Sequence, residues 1–290
     1  MNWKLVEQGP NAHTIHQPYP AKESWALWLS DIHFDNPKCD RKLLKRHLTE
    51  AVKKKAPVFI IGDFFCAMQG KYDPRACKAS VRTAHLKTNY FDAIVDEAAK
   101  WLQPFKKNVA IIGLGNHETA ILNKHETNLV DRLAAKLRDS GGITMSGGYG
   151  GWIRYQFQRK ASMRGRVEFY YHHGFGGGGA TTFGVNHFPQ YMTQVRADVY
   201  VCGHHHYRTN VTHVVAERTQ TSIIKHVPID FVRCGTYKDD YKEGDKGWHI
   251  EKGLGPRVRG GYWLRWVPHK GRENRCIPAR QFIPTEAGMD

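Results

Sequence analysis

The sequence predicts an α/β fold in which two β-sheets pack against each other and helices flank them. In the first half of the chain, apolar runs of four to six residues alternate with segments of helical periodicity. Such runs are typical of strands buried on both faces, and their alternation with helices indicates a largely parallel sheet. From about residue 211 onward, strand-like pieces separated by Gly and Pro replace the helices, which predicts a second sheet packed on the first.

Five apolar runs each stop abruptly at a cluster of polar residues. With their clusters, the runs are WALWLS-DIH (25–33), PVFII-GDF (57–64), VAIIGL-GNHE (109–118), VEFYY-HHG (167–174) and VYVC-GHHH (199–206). In open α/β sheets, ligands bind beyond the carboxyl ends of the strands. The sequence therefore places the active site at these five strand ends.

Three segments have helical character, namely 41–55, much of 76–103, and 126–140, which stops at Gly141 and Gly142. No internal repeat, low-complexity tract or linker divides the chain. We therefore expect residues 1–290 to form a single domain. Its motifs occupy about 25–210, and a basic, β-rich part occupies about 211–290.

The chain is strongly basic, with 43 Lys and Arg against 27 Asp and Glu and a formal net charge of +16. This excess favours a polyanionic partner, above all nucleic acid. The six cysteines include no C-x-x-C pair, which indicates reduced, structural thiols. No apolar run approaches the roughly 18 residues that span a bilayer. We expect a cytoplasmic protein that binds nucleic acid and no membrane; the sequence indicates no particular protein partner.

The five strand ends supply imidazole, carboxylate and amide groups. They are Asp31, His33, Asp63, Asn116, His117, His172, His173, His204, His205 and His206. This mixture suits divalent first-row metals such as Mn, Fe, Zn or Ni, and seven good ligands exceed the four of a closed structural site, which favours two metals. Asp31-x-His33 and His204-x-His206 have a two-residue spacing, which on an extended strand would direct both side chains of a pair the same way. Each pair would then bind one metal or be split between two neighbouring ones.

The order D-x-H, G-D, G-N-H-E, H-G and G-H-x-H over about residues 25–210 resembles the calcineurin-like metallophosphoesterase superfamily. That superfamily includes Mre11-type nucleases, cyclic nucleotide phosphodiesterases and protein phosphatases. The resemblance implies a metallophosphoesterase-type β-sandwich and a metal-dependent phosphoric ester hydrolase. Glycine-rich stretches like 174–184 are similar to those in phosphoesterases encoded by phages and mobile elements; here the stretch would let backbone approach a substrate or form a flexible lid.

The resemblance also implies a role for each motif residue. Asp31, His33 and His206 would hold one metal, Asn116, His173 and His204 the other, and Asp63 would bridge both. His117 would lie near the scissile phosphate and stabilise charge or protonate the leaving oxygen. Manganese is the favoured metal, and a metal-bridging hydroxide would attack phosphorus in line. The pair in YYHHG leaves His172 as an alternative to His173.

The residues on either side of Asp63 narrow the substrate class. GDFFCAM (62–68) lacks the Asp-Arg pair of the protein phosphatase branch, which disfavours that activity. The charge favours a nuclease or nucleic-acid phosphodiesterase. A phosphodiesterase or phosphatase for small or cyclic nucleotides, and a non-catalytic nucleic-acid-binding protein with structural metals, remain as alternatives.

A basic stretch with interleaved aromatic residues, 252–275, is the best candidate for a nucleic-acid surface. Its candidate contact residues are Arg257, Arg259, Trp263, Arg265 and Trp266. The alternative is an edge strand whose tryptophans belong to the core and whose cations are solvated.

Overall fold

The computed structural model describes residues 2–70, 72, 78–160, 163–177, 182, 184–218, 220, 223–241, 253, 255–269 and 276–287. Parts of the glycine-rich stretch and of the basic stretch lie outside the described residues. They are 178–181 and 183 of the glycine-rich stretch, and 252, 254 and 270–275 of the basic stretch.

Two sheets form the centre of the structure, and their strands are numbered in chain order. The seven-stranded sheet has the spatial order β1 (Lys4–Gly9), β2 (Ala12–Pro18), β7 (Gly150–Lys160), β8 (Met163–His172), β9 (Val199–Cys202), β11 (Ile224–Arg233) and β10 (Thr209–Arg218). The six-stranded sheet has the order β13 (Ala279–Pro284), β12 (Tyr262–Val267), β3 (Ser24–Leu29), β4 (Val58–Ile60), β5 (Val109–Ile112) and β6 (Met145–Ser146). Strands β3 to β6 are parallel, and β12 runs antiparallel to β3.

The inner faces of the two sheets share an aromatic core. Trp28 of β3 stacks on Phe169 of β8 with ring centroids 5.2 Å apart, and Trp266 of β12 meets Phe157 of β7 edge to face at 4.8 Å. Burying a large apolar side chain contributes about 1.5–3 kcal/mol. These contacts hold the sheets face to face and fix the positions of their carboxyl ends.

The helices cover the outer faces. α1 (Arg41–Lys53), α2 (Tyr90–Leu102) and α4 (Leu129–Asp139) pack on the six-stranded sheet, and α5 (His187–Gln194) packs on the other. α3 (Asn116–His125) follows β5. Two helix starts are capped, because Asp40 accepts a hydrogen bond from Leu43 N–H and Asn128 accepts from Val130 N–H. No helix in the described part of the chain is long and apolar enough to cross a membrane.

The fold class is confirmed, but the expected membership of the sheets is wrong. The C-terminal strands do not make a sheet of their own, since β10 and β11 extend the seven-stranded sheet and β12 and β13 extend the other. The five apolar runs are divided as well, with β3, β4 and β5 in one sheet and β8 and β9 in the other. Long-range pairing decides membership, and an apolar run of a few residues does not specify its neighbour.

Candidate metal centre

The predicted site residues lie where the two sheets meet, beyond the carboxyl ends of five strands. Asp31 and His33 follow β3, Asp63 follows β4, and Asn116 begins α3 after β5. On the other sheet, His173 follows β8, while His204 and His206 follow β9. The structure brings all seven proposed ligands together, in two groups that each draw side chains from both sheets.

The first group is Asp31, His33 and His206, whose ligand atoms lie within 4.8 Å of one another. Nε2 of His206 is 3.3 Å from Nε2 of His33 and 3.3 Å from Oδ1 of Asp31. Asp31 and His33 are buried, and His206 is partly exposed. This group is therefore open to solvent on the side of His206.

The second group is Asp63, His173 and His204, again with ligand atoms within 4.8 Å. Nε2 of His173 is 3.2 Å from Oδ2 of Asp63. Oδ1 of Asn116 lies 3.1 Å from that same nitrogen and 2.9 Å from Nδ1 of His204. The groups are adjacent, because His204 N–H donates to Oδ2 of Asp31 at 2.9 Å.

Five of the seven side chains project from left-handed backbone. The φ angles are 52° at Asp31, 51° at His33, 50° at Asp63, 72° at His204 and 60° at His206. This region costs of order 1–3 kcal/mol for a residue other than glycine and is concentrated at functional sites. The expectation that each Asp-x-His or His-x-His pair lies on an extended strand is therefore wrong, since the pairs stand on turns beyond the strand ends.

Hydrogen bonds between two loops maintain the turns that carry Asp31, His33 and Asp63. Asp31 N–H donates to Gly62 O at 3.1 Å, and His33 N–H donates to Asp63 O at 3.0 Å. The loop after β3 therefore lies against the loop after β4. The carboxylates of Asp31 and Asp63 are positioned by backbone contacts rather than by side-chain packing alone.

Neighbouring imidazoles keep both carboxylates ionised. Burial would raise the pKa of Asp31, but His206 holds it below its ordinary value. Burial would also raise the pKa of Asp63, but His173 and His117 hold it well below. Burial and then His117 lower the pKa of His33 far below its usual value, which keeps that ring neutral.

These groups fit divalent metal ions. Oδ1 of Asp31 is buried and accepts no hydrogen bond from the part of the chain that the structure describes, and two imidazole nitrogens face each other at 3.3 Å beside it. A divalent cation would satisfy all three atoms at once, and neutral imidazole with carboxylate oxygen is a donor set for first-row metals. Backbone carbonyls fix the ring orientation of two further ligands. His173 Nδ1–H donates to Ile61 O at 2.9 Å, and His204 Nε2–H donates to Gly176 O at 3.0 Å.

His117 lies beside the first group. Its Nδ1–H donates to Cys66 O at 2.6 Å, which leaves Nε2 directed toward the centre, 3.9 Å from Oδ2 of Asp63. Its ring meets that of His33 edge to face with centroids 4.8 Å apart. A ring nitrogen held there is available for proton transfer at the edge of the metal centre.

The calcineurin-like phosphoesterase family model matches residues 25–208. The chain belongs to this family. A search of the curated proteins found no match.

Several solved structures resemble this phosphoesterase. A predicted phosphoesterase from Streptococcus pneumoniae TIGR4 is 11% identical, with 91% of this chain and 100% of that chain covered and a TM-score of 0.31. A metallophosphoesterase from Sphaerobacter thermophilus is 13% identical, with coverages of 91% and 89% and a TM-score of 0.35. GAP50, the anchor in the inner membrane complex of Plasmodium, is 12% identical, with coverages of 91% and 85% and a TM-score of 0.43.

In this phosphoesterase, the geometry favours His173 over His172 as a metal ligand. Nδ1 of His172 accepts from Gly174 N–H at 3.1 Å and lies 3.3 Å from the hydroxyl of Tyr191. His172 is therefore outside both groups. His205 is outside them as well, because its Nε2–H donates to Gly176 O at 3.0 Å.

Sequence reasoning missed the function of Glu118, the last residue of GNHE. This fully buried carboxylate accepts three backbone N–H groups, from Phe65 at 2.7 Å, Gly115 at 2.9 Å and Asp63 at 3.1 Å. Burial, followed by the nearby Asp63, raises its pKa to about 8. Glu118 thus ties the loop after β4 to the start of α3 and positions Asp63 beside Asn116.

Sequence reasoning also missed that Cys66 lies beside the metal centre, because its spacing to other cysteines suggested only a structural role. Its thiol and the ring nitrogens of His33 and His117 lie within 4.8 Å of one another. The side-chain amide of Asn36 donates a hydrogen bond to the sulfur at 3.3 Å. The signal available in the sequence was its position three residues after Asp63.

The structure separates the five residues of the predicted nucleic-acid surface. Trp266 is completely buried and Trp263 is 5% exposed, so both indoles belong to the core and offer no face to a base. Arg265 pairs with Glu23 at 2.7 Å, near the end of β12 remote from the metal centre. Arg259 pairs with Asp40 at 2.6 Å.

Arg257 is the member that contacts a chain neighbour of a proposed metal ligand. Its guanidinium carbon is 3.7 Å from the ring centroid of Tyr207, which directly follows His206. Both side chains are partly exposed. A cation therefore lies against the residue that follows His206 of the first group.

Proposed function

We propose that this phosphoesterase hydrolyses phosphodiester bonds in nucleic acid, with two divalent metal ions as cofactors. Manganese is the first choice of metal, and iron, zinc or nickel are the alternatives. The observation that carries the proposal is the pair of adjacent ligand groups, each built from a carboxylate and two imidazoles. We further propose a reducing compartment such as the cytoplasm, which agrees with free thiols at the described cysteines.

Each residue of the centre would have a distinct task. Asp31, His33 and His206 would hold one cation, His173, His204 and Asn116 the other, and Asp63 would lie between them. When bound, the two cations would activate a water molecule as the nucleophile and neutralise the phosphate oxygens. The left-handed turns hold these ligands in place before any cation arrives.

His117 would act on the leaving group. The hydrogen bond to Cys66 O fixes its tautomer, so that Nε2 faces the centre. When Nε2 carries a proton, it can donate to the leaving oxygen; when it does not, it can accept a hydrogen bond from water or substrate. Because His117 is separate from the proposed ligands, its loss should affect rate and leave the metals bound.

Charge supports nucleic acid as the substrate class. The net charge is +16, and Arg257 stacks on Tyr207, the residue that follows the proposed ligand His206. Its stacking on Tyr207 pre-orders the guanidinium, so that less entropy is lost when it binds a phosphate next to the scissile one. Arg265, which is paired with Glu23 far along β12, should have no such function.

The test is cleavage of end-labelled and circular DNA and RNA in manganese, with bis(p-nitrophenyl) phosphate as the small substrate. We expect cleavage of a nucleic acid, no turnover by Asp63→Asn, and a loss of about 10²-fold or more for His117→Ala with both metals retained. Metal-free His117→Ala would contradict its proposed function. Activity that survives Asp63→Asn would contradict the metal mechanism altogether.

Arg257→Gln and Arg265→Gln form a matched pair of variants that tests whether Arg257 binds a nucleic-acid substrate. Neutralising Arg257 should weaken DNA binding and reduce the salt slope by about 1, whereas neutralising Arg265 should change neither. Hydrolysis of the small ester should be the same in both variants. Equal effects on DNA binding would remove Arg257 from the substrate path.

A second candidate is a phosphodiesterase for small or cyclic nucleotides. The burial of both Trp263 and Trp266 favours it, since these rings provide no platform on which successive bases can stack. It predicts hydrolysis of the small ester and of nucleotides, with all four nucleic-acid substrates left intact.

A further inference from the structure

Strands β10 and β11 extend beyond the sheet to which they belong. They pair antiparallel along their whole length, from Thr209 opposite Arg233 to Arg218 opposite Ile224. β9 pairs only with residues 230–233 of β11. Among the described strands, residues 213–218 and 224–229 therefore pair only with each other, and we call this two-stranded segment the hairpin arm.

One face of the hairpin arm is exposed and carries four apolar residues beside Arg218 and His226. Val214 is 63% exposed and Ile224 is 65% exposed. Ala216 and Pro228 lie on the same face and are also exposed. An apolar face of this kind on a projecting element is typical of an interaction surface.

The free edge of β10 is a second unusual feature. β10 is the last strand of its sheet among the described residues, and it is ten residues long. Edge strands are usually protected by Pro, Lys or other charged residues. Residues 209–218 contain neither Pro nor Lys, and their two charged residues, Glu217 and Arg218, stand together at the end of the strand.

A two-stranded hairpin alone is marginally stable in water, whereas three or more strands with an apolar face are stable. We propose that β10 pairs antiparallel with β10 of a second copy of the chain. The two hairpin arms then form one four-stranded sheet, and the exposed apolar residues of both copies lie on the same face of it.

A two-fold axis through Val214 suits the sequence of β10. It places His213 opposite Val215, Thr212 opposite Ala216, Val211 opposite Glu217 and Asn210 opposite Arg218. No like charges stand opposite each other, and β-branched residues pair at the centre. The same surface serves both partners, as a two-fold interface requires.

A second copy suits the hairpin arm better than nucleic acid does. The arm carries two cations, Arg218 and Lys225, and one acidic residue, Glu217. Glu217 precedes Arg218 in the chain and is directly opposite Lys225 in the strand pairing. This charge is small for a surface that binds phosphates, whereas the β-branched content suits strand pairing. Binding of the arm to nucleic acid is therefore an outcome of the test and not the proposal.

The first experiment measures mass in solution by light scattering and sedimentation. The wild-type chain should be a dimer at about 100 µM, well above the micromolar Kd of a weak interface, and Val214→Lys should be monomeric. The matched control is Val52→Lys on α1, where the native valine is 39% exposed and the dimer should persist. A monomeric wild type, or a dimer that Val214→Lys leaves intact, would overturn the proposal. The proposal would also be overturned if Val214→Lys changed the affinity for DNA and left the mass in solution unchanged.

The second experiment does not depend on disrupting the fold. Directly opposed residues have Cβ atoms about 4.5–5.5 Å apart, so Val214→Cys should form an intermolecular disulfide on mild oxidation. In Ala216→Cys the two thiols would be four residue steps apart, about 13 Å, and should stay unlinked. Equal cross-linking of both variants, or none in Val214→Cys, would exclude this register and with it the proposed pairing.

Discussion

Gly115 leaves no room for a side chain between the start of α3 and the carboxylate of Asp63. A Cβ atom on Gly115 would lie 2.8 Å from Cγ of Asp63 and nearer still to its Oδ1 and its backbone nitrogen. The backbone nitrogen cannot swing aside like the end of a flexible side chain. We therefore predict that Gly115→Ala displaces Asp63 from the position between the two ligand groups.

The size of the expected effect comes from the overlap. Ordinary contacts begin at 3.4 Å and extend to 4 Å, so Asp63 and Gly115 must separate by about 1 Å. A 1 Å misplacement at a reacting centre can cost 10²-fold in rate, which is about 2.7 kcal/mol in the barrier. We expect Gly115→Ala to lose at least that much in kcat/KM for the small ester and to bind less metal.

The assay compares Gly115→Ala with Gly9→Ala. Gly9 has nothing within 4 Å of its Cβ position, so the same chemical change is made without a clash. Metal content by mass spectrometry and thermal unfolding would be measured beside the kinetics. If kcat/KM of Gly115→Ala stayed within about threefold of wild type, a change of less than about 0.7 kcal/mol in the barrier, the reasoning from close packing would be refuted.

Three further predictions concern stability. Trp266→Ala should lower the free energy of unfolding by about 3–5 kcal/mol in urea, and the folded variant should bind DNA like wild type. Glu118→Gln leaves one of three buried N–H donors without an acceptor and should cost about 1.5–3 kcal/mol in the same titration; an unchanged midpoint would contradict the bonding scheme. Burial lowers the pKa of His47 from 6.5 to about 4, so between these values the unfolded chain takes up a proton that the folded one does not. Stability should therefore fall as pH drops through this window, and in His47→Gln the slope should be smaller by up to about 1.4 kcal/mol per pH unit, measured by denaturation at pH 5 and pH 7.

The parts of the site that sequence predicts are those fixed by local pattern. An apolar run that stops at Asp31, at Asn116 or at His204 marks both the strand and its carboxyl end. Because parallel strands end on the same edge, convergence of these side chains is expected without knowledge of the strand order. The identity of the strand neighbours was therefore not needed to propose the ligands.

The features that the sequence does not predict depend on contacts between distant segments. The left-handed turns at Asp31 and His33 exist because loops from different strands bond to each other. Trp266 looks like a surface aromatic because cations surround it in the chain, but its ring lies between the sheets. β7 alternates polar and apolar residues, and β1 and β2 mix them without a continuous apolar run, so the rule of continuous apolar runs does not detect these strands.

Each ligand group takes side chains from both layers of the sandwich, and this arrangement has a mechanical consequence. A cation bound by Asp63 on one layer and by His173 on the other would act as a cross-link between them. Binding at 100 times the Kd adds about 2.7 kcal/mol to the folded state. Chelation should therefore weaken the junction of the layers as well as remove the reactive centre, and both layers should melt together at a temperature set by the free metal concentration.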